Sequence, residues 1–299
     1  MDTLYCNCCA PLFSLGIPLK VLVTGASSQI GHFLLPAIRA RGDFCLALSR
    51  SQQGEMKGVR WVVGDLTDDL SALWQENEID TWIHLAALPL ALPHLADAAA
   101  SGVTRFIGFS STSVFTKLDS NSENERQMIE ALATAEDEIK DVCQKNGVCW
   151  TLFRPTLIYG AGMDNNVGFI RSMIDRFGFF PVIGRGCGMR QPVHAADLAE
   201  ACVLAMASST SNNKAYNLSG GEQLTYRQMV ERIFSSCNKP AKILHSPTGI
   251  MKGCISILRV MPKYRYLNQA MVDRMQMDMV FSHEEATTDF GYLPRPFQP

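Results

Sequence analysis

Between Lys20 and Ala40 the sequence leaves the backbone little freedom. Residues 20–23 read Lys-Val-Leu-Val, Thr24-Gly25-Ala26-Ser27-Ser28-Gln29-Ile30-Gly31 is a turn of mostly small residues, and 30–40 have the length and composition of a helix. A strand that runs through a glycine turn straight into a helix is the first half of a βαβ unit. The rhythm then repeats, with strand-like runs at 44–48, 59–63, 81–84, 105–109 and 149–153 and helix-compatible stretches at 66–75, 90–101 and 125–146. Parallel strands joined by helices cross over right-handedly, so few topologies remain. The expectation is an α/β fold, a Rossmann-type doubly wound parallel sheet.

The turn itself says what the sheet carries. Gly25 permits a tight bend, Ala26, Ser27 and Ser28 let backbone approach a bulky anion, and Gly31 lets the helix pack close to the strand. The helix start then offers unpaired N–H groups and the positive end of its dipole, the usual seat of a pyrophosphate. Phosphate contacts are therefore expected from Gly25, Ser27, Ser28, Gln29, Ile30 and Gly31. A glycine turn that holds no ligand is the plainer alternative.

After Pro155 the rhythm loosens, with glycines at 160, 162, 178, 184, 186 and 188. The predicted organisation is an N-terminal extension at 1–17, a dinucleotide-binding domain at 18–160 with returning strands near 189–219, and a smaller C-terminal substrate lobe occupying most of 161–299. In this 299-residue chain, 27 basic residues against 29 acidic ones leave a net charge of −2, without the positive excess that a phosphate backbone demands, so no nucleic acid is expected.

No stretch reaches the roughly 18 apolar residues that span a bilayer. Residues 3–19 are uncharged but interrupted by Asn7, Pro11 and Pro18, and they lack a basic start and a small-residue cleavage site. The expectation is a cytoplasmic chain with no membrane partner. The apolar stretch 249–261, with Lys252 and Arg259, is read as packing on the sheet or roofing a pocket in preference to lying on a membrane. Ten cysteines, scattered singly apart from Cys6, Cys8 and Cys9, fit reduced thiols better than a disulfide framework. The Cys6-x-Cys8-Cys9 group lacks a second Cys/His pair at zinc spacing, so no metal is expected.

Thr24-Gly25 followed by Gly31 resembles the T-G-x-x-G-x-x-G loop of the short-chain dehydrogenase/reductase superfamily, in its extended, epimerase/dehydratase-like branch, with Ser28 at the middle glycine. Later segments resemble the same family in the same order: Gly64-Asp65-Leu66, Leu85-Ala86-Ala87, Phe109-Ser110-Ser111-Thr112-Ser113, Arg154-Pro155 with Tyr159-Gly160, and Arg190 with His194 and Asp197. The likeness runs over roughly residues 18–297. It implies that Asp65 and Leu66 meet the adenine, that Ala86, Ser110 and Pro155 line the path toward nicotinamide, and that Ser111 is the catalytic serine. It also implies substrate contacts from Ser113, Tyr159 and Arg190, a small-molecule substrate such as a sugar nucleotide, and a homodimer.

In Rossmann loops an acidic residue about 20 positions past the glycines selects NAD, and an arginine there accommodates the extra phosphate of NADP. The second strand here ends in Ser49-Arg50-Ser51 with no carboxylate. NADP is favoured over NAD through Arg50; the alternative is a solvated strand-end arginine.

The departure lies in the acid/base pair. The resembling enzymes carry Tyr-x-x-x-Lys on the helix after the serine strand, where the lysine charge lowers the phenol pKa. Aligning Ala135-Glu136 with the family's Ala-Glu puts Met128 in the tyrosine slot and Leu132 in the lysine slot, and the sequence has no tyrosine between Tyr5 and Tyr159. Three outcomes fit such a chain: an atypical reductase or epimerase/dehydratase-type enzyme using another acid/base, with Lys117, Glu123, Glu125 and Tyr159 as candidates; a redox sensor or assembly factor that binds NADP(H) without turnover; or a scaffold that has lost its cofactor. Arg190 suits a diphosphate, or else makes a salt bridge to Asp197 or a neighbour. His84 and His194 read as structural.

Overall fold

A computed structural model describes residues 18–117, 120, 122–164, 166–247, 249, 253 and 274–299. The N-terminal extension with Cys6, Cys8 and Cys9, and nearly all of 249–261, lie outside the described residues.

The strands β1 (Lys20–Thr24), β2 (Phe44–Ser49), β3 (Val59–Val63), β4 (Thr81–His84), β5 (Arg105–Phe109) and β6 (Cys149–Pro155) form one sheet with β11 (Lys214–Leu218). Its order is β11-β6-β5-β4-β1-β2-β3, and every pairing is parallel. The chain winds outward from β1 to β3, returns across the sheet to β4 and winds the other way, so the order reverses between β1 and β4. A crevice opens at the carboxyl ends of strands at such a reversal.

Alternation along the strands builds a core on each face. Val21 and Val23 point to one side and pack with Leu34, Leu35 and Ile38 of α1 (Gln29–Ala40) and Leu198, Ala201 and Cys202 of α7 (Ala195–Ala207). Leu22 points to the other, with Trp74 of α2 (Ser71–Asn77), Leu95 and Ala98 of α3 (Leu95–Ala100) and Ile139 of α5 (Glu123–Lys145). Between β5 and α5 lies the single turn α4 (Ser113–Thr116).

A third apolar cluster gathers elements that follow β6. Tyr159 of β7 (Ile158–Tyr159), Ile170 and Ile174 of α6 (Val167–Phe177), Phe180 and Val182 of β8 (Phe180–Ile183), and Ile233 and Phe234 of α8 (Tyr226–Ser236) pack around Phe297. The short strands β9 (Met189–Arg190) and β10 (Val193–His194) pair with β12 (Leu224–Thr225) and β7, while β13 (Ile243–Ser246) extends β8. Helix α9 (Glu284–Phe290) sends Phe290 back under the main sheet.

Three local expectations are corrected. The helix expected over 66–75 starts only at Ser71, because the Asp65 carboxylate takes the Thr67 amide and the Asp69 carboxylate takes the Ser71 amide, holding the intervening backbone in turns. The stretch 90–101 is a 3₁₀ segment (Leu88–His94) before α3, because Pro89 and Pro93 supply no amide for α-helical bonding. Among the cysteines, Cys45, Cys143, Cys187, Cys202 and Cys237 are free thiols as expected, whereas Cys149 is disulfide-bonded. No helix among the described residues is long and apolar enough to cross a membrane.

Leu34 is fully enclosed where α1 meets α7 and the sheet. Leu34→Ala should destabilise the chain by about 2–5 kcal/mol in urea unfolding, and a loss below about 1 kcal/mol would show that this face is not a packed core.

Candidate active site

The crevice is built where β1 and β4 end. Gly25 has φ +70°, and a Cβ there would stand 2.7 Å from the Ala86 amide nitrogen, so the loops after β1 and β4 touch through backbone. Beneath them runs a buried relay. The Trp82 indole donates to Thr24 Oγ1 at 2.9 Å, and Thr24 faces His84 Nδ1 at 2.8 Å. His84 Nε2 faces the Ala87 carbonyl at 3.0 Å, and a carbonyl only accepts, so Nε2 carries the proton and Nδ1 accepts from Thr24. Burial pushes the His84 pKa down to about 4; this histidine is a strut.

The phosphate loop follows. Ser28 donates its amide to Gly25 O at 3.0 Å, and its hydroxyl accepts the Gly31 amide at 3.2 Å, capping α1. Its φ of −72° is ordinary for any residue, which explains why a serine stands at the middle glycine without strain. Gly31 has no such latitude, since a Cβ would lie 2.0 Å from the Ala26 carbonyl oxygen. Ser27 is exposed at the loop tip and Ile30 is buried under it. The first turn of α1 carries no acidic side chain, so nothing opposes an anion at the positive end of its dipole.

On the far side Arg50 is exposed just past the end of β2, and Asp65 follows β3. The Thr67 amide, then the Thr67 hydroxyl, hold the Asp65 pKa below the usual carboxylate range, and the Arg50 charge adds to the effect, so the two residues share one field. Leu66 is buried, and its carbonyl faces His94 Nε2 at 2.8 Å.

The loop after β5 is fixed to the end of β6. Thr112 donates its amide and its hydroxyl to the Pro155 carbonyl, each at 3.1 Å. Ser110 turns its hydroxyl toward α5, donating to Glu136 at 2.5 Å, so any contact it makes in the crevice comes from its backbone. Glu136 is buried and receives the Arg154 guanidinium in a two-nitrogen grip. Ser111 faces the other way. Its Oγ accepts the Ser113 amide at 3.1 Å, and among the described residues its own O–H has no acceptor and can turn to a ligand.

A cavity of about 760 Å³ joins these parts, lined by Gln29 of the phosphate loop together with Ser111, Ser113, Lys117, Glu125, Met128 and Arg190. Gln29 Oε1 is buried without a hydrogen-bond partner among the described residues, an acceptor ready for a ligand donor. Met128, in the tyrosine slot, is 60% exposed, whereas Leu132, in the lysine slot, packs against the core. Tyr226 also lines the cavity, but burial pushes its phenol up to about 12.

The candidate acid/base residues divide. Lys117 lies 3.2 Å from Glu125, and Glu125 also receives Arg274 at 2.8 Å and the Ser120 hydroxyl at 2.5 Å. Glu123 is exposed and bonded to Arg126 and Gln127. Tyr159 is corrected: it is buried against His194 and Phe297, its hydroxyl accepts the Gln298 amide at 3.1 Å, and burial raises its pKa. It belongs to the third apolar cluster, outside the cavity lining.

Arg190 reaches the cavity with three of its five N–H donors engaged. Its guanidinium donates to the carbonyls of Met189 and Met277 at 2.7 Å and of Arg274 at 2.5 Å, and it lies over the Tyr226 ring. The pairing with Asp197 considered for it does not form, because Asp197 takes the side chain and amide of Arg295. His194 accepts the Ala196 amide as the N-cap of α7, so it too is structural. Sequence reasoning missed Arg274, which no motif marks and which lies 149 positions from its partner Glu125.

A model of the NAD dependent epimerase/dehydratase family matches residues 21–219. The chain belongs to that family. Over 93% of its length it is 25% identical to 95% of a 2-alkyl-3-oxoalkanoate reductase of Stenotrophomonas maltophilia. Two solved structures share the fold: an epimerase of Methanothermobacter thermautotrophicus (TM-score 0.72, 18% identity, 93% of this chain and 88% of that one), and a UDP-glucuronic acid 4-epimerase of Bacillus cereus in complex with UDP-glucuronic acid and NAD (TM-score 0.70, 17% identity, 92% and 94%).

The loop geometry fits the family's dinucleotide. The two positions where a Cβ would fill space, Gly25 and Gly31, are those where backbone must stay close, and the capped start of α1 faces the crevice between them. Gly31→Ala forces the loop open against the Ala26 carbonyl. It should cost at least about 2 kcal/mol of nicotinamide-cofactor affinity, roughly 30-fold. An unchanged Kd by calorimetry would refute this seat for the phosphates.

Proposed function

We propose that the chain is an NADP(H)-dependent reductase of a small carbonyl compound that uses a proton donor other than the family's Tyr-Lys pair. The observation that carries this reading is the cavity that runs from Gln29 of the phosphate loop to Ser111 and Ser113. A carbonyl held there lies beside the path assigned to the cofactor, with the free Ser111 hydroxyl as a hydrogen-bond donor to its oxygen.

A bound nicotinamide supplies hydride chemistry. The protein supplies position, exclusion of water and a proton. The contacts assigned to the cofactor are Gly25, Ser27, Ser28, Gln29, Ile30 and Gly31 for the phosphates, Asp65 and Leu66 for the adenine, and the backbone of Ala86, Ser110 and Pro155 toward the nicotinamide. Arg50 meets the adenosine phosphate, which favours NADP.

A carbonyl reductase is favoured over a sugar-nucleotide enzyme because of Arg190. A diphosphate is best gripped by a guanidinium whose donors are uncommitted, and Arg190 commits three of its five N–H donors to backbone carbonyls. The similarity to a 3-oxoalkanoate reductase over nearly the whole of both chains supports the same choice.

Calorimetry with NADPH, NADH, NADP and NAD, followed by turnover at the nicotinamide absorbance, tests the reading. NADPH should bind more tightly than NADH and be oxidised by a member of a carbonyl panel that includes 3-oxo acids, with UDP-glucose and UDP-glucuronic acid inert. Tight binding with no turnover, or turnover of a UDP-sugar alone, would overturn it. Arg50→Asp should reverse the NADPH/NADH preference by removing the phosphate's partner and adding a ribose acceptor; an unaltered ratio would show that Arg50 does not read the phosphate.

A further inference from the structure

We propose that Lys117 is the proton donor of this cavity, held in place by the Glu125 carboxylate. The inference rests on the reductase reading and identifies the residue that stands in for the absent phenol.

Among the described residues, six side chains lining the cavity ionise: Lys117, Glu125, Asp164, Arg190, Tyr226 and Arg274. A guanidinium is a poor proton donor in proteins, which sets aside the two arginines. Asp164 caps the start of α6, accepting the Asn166 amide at 3.1 Å and the Gly168 amide at 2.9 Å. Tyr226 is pushed by burial away from neutral pH, up to about 12. For Glu125, burial acts to raise the pKa, but the Ser120 hydroxyl, Arg274 and Lys117 outweigh it and keep the group an anion with no proton to give.

Lys117 remains, and its surroundings act in the useful direction. Burial first, and then the charge of Arg274, lower its pKa, with Glu125 opposing them. Among the described residues these two are the charged groups that act on it, Glu125 from α5 and Arg274 from the segment preceding α9. Position agrees. Glu125 and Met128 are three apart on α5 and so share one face, which sets the Lys117–Glu125 pair one helical turn from the tyrosine slot. With hydride supplied to the carbonyl carbon, as a bound reduced nicotinamide would do, the carbonyl oxygen would become an alkoxide beside Lys117. One Nζ–H bond of Lys117 then breaks as the new O–H bond forms, and the neutral amine recovers a proton from water.

The test uses the full-length protein and three variants. Lys117→Arg keeps a cation beside Glu125 but cannot release a proton, so kcat should fall by about 100-fold or more with NADPH affinity unchanged. Turnover requires the protonated amine, so the rate should decline as pH rises through the Lys117 pKa. Glu125→Gln removes the charge that raises this pKa and should move the decline to lower pH, whereas Arg274→Met should move it to higher pH. In the protein without cofactor, NMR of ¹³C-dimethylated lysines, assigned by the signal missing from Lys117→Arg, should show Lys117 titrating below the other lysines.

Turnover by wild type that survives in Lys117→Arg, or a Lys117 signal that titrates with the surface lysines, overturns this proposal and leaves the reductase reading standing. A wild type that binds NADPH and reduces nothing in the panel overturns both.

Discussion

The contact between the Gly25 and Ala86 backbones is the constraint from which the rest of the crevice takes its shape. It exists because β1 and β4 are neighbours although four elements, α1, β2, β3 and α2, separate them in sequence, and because Gly25 has no Cβ to hold the loops apart. The Trp82–Thr24–His84–Ala87 relay fixes the same two strand ends from below, with each donor matched to an acceptor. A buried polar chain of this kind is stabilising only when complete. Holding His84 neutral is part of that completeness, since an imidazolium would present a second donor where Thr24 already offers its own proton.

A second fixed point lies across the sheet. Glu136, Arg154 and Ser110 join α5, β6 and the loop after β5 in one buried network, and the Arg154 guanidinium also lies over the Phe115 ring. Taking one member from such a network leaves an uncompensated buried charge, which costs far more than the intact pair contributes. The network therefore sets the rotation of α5, and that rotation aims Met128 at the cavity and Glu125 at Lys117.

The parts legible in the sequence are those written in neighbouring residues. The loop from Thr24 to Gly31 could be read because its turn, cap and close approach are local, and the strands could be read because burial on both faces leaves continuous apolar runs. The helix expected from residue 66 failed at its start because carboxylate-to-amide bonds at Asp65 and Asp69 compete with helical ones, an effect that periodicity does not register. Tyr159 and Arg190 were assigned to substrate by their place in a motif, yet Tyr159 is buried in the third apolar cluster away from the cavity lining, and Arg190 commits three donors to the carbonyls of 189, 274 and 277. Arg274 could not have been found, since its meaning comes only from the fold that brings it to Glu125.

The fate of the Tyr-Lys positions follows from where they point. Met128 faces the cavity and is mostly exposed, and Leu132 adds apolar contact to the core, so neither replacement costs the fold anything. Glu136 and Arg154, two turns further along the same helix face and on the strand beside it, are buried and mutually dependent. Reactive groups that face a cavity can be exchanged without disturbing α5, while the groups that orient the helix cannot. A proton donor for such a site must then come from an element the helix does not control. The loop after β5 and the segment before α9 each bring a cation to the cavity, and Glu125 is the carboxylate on which the two meet.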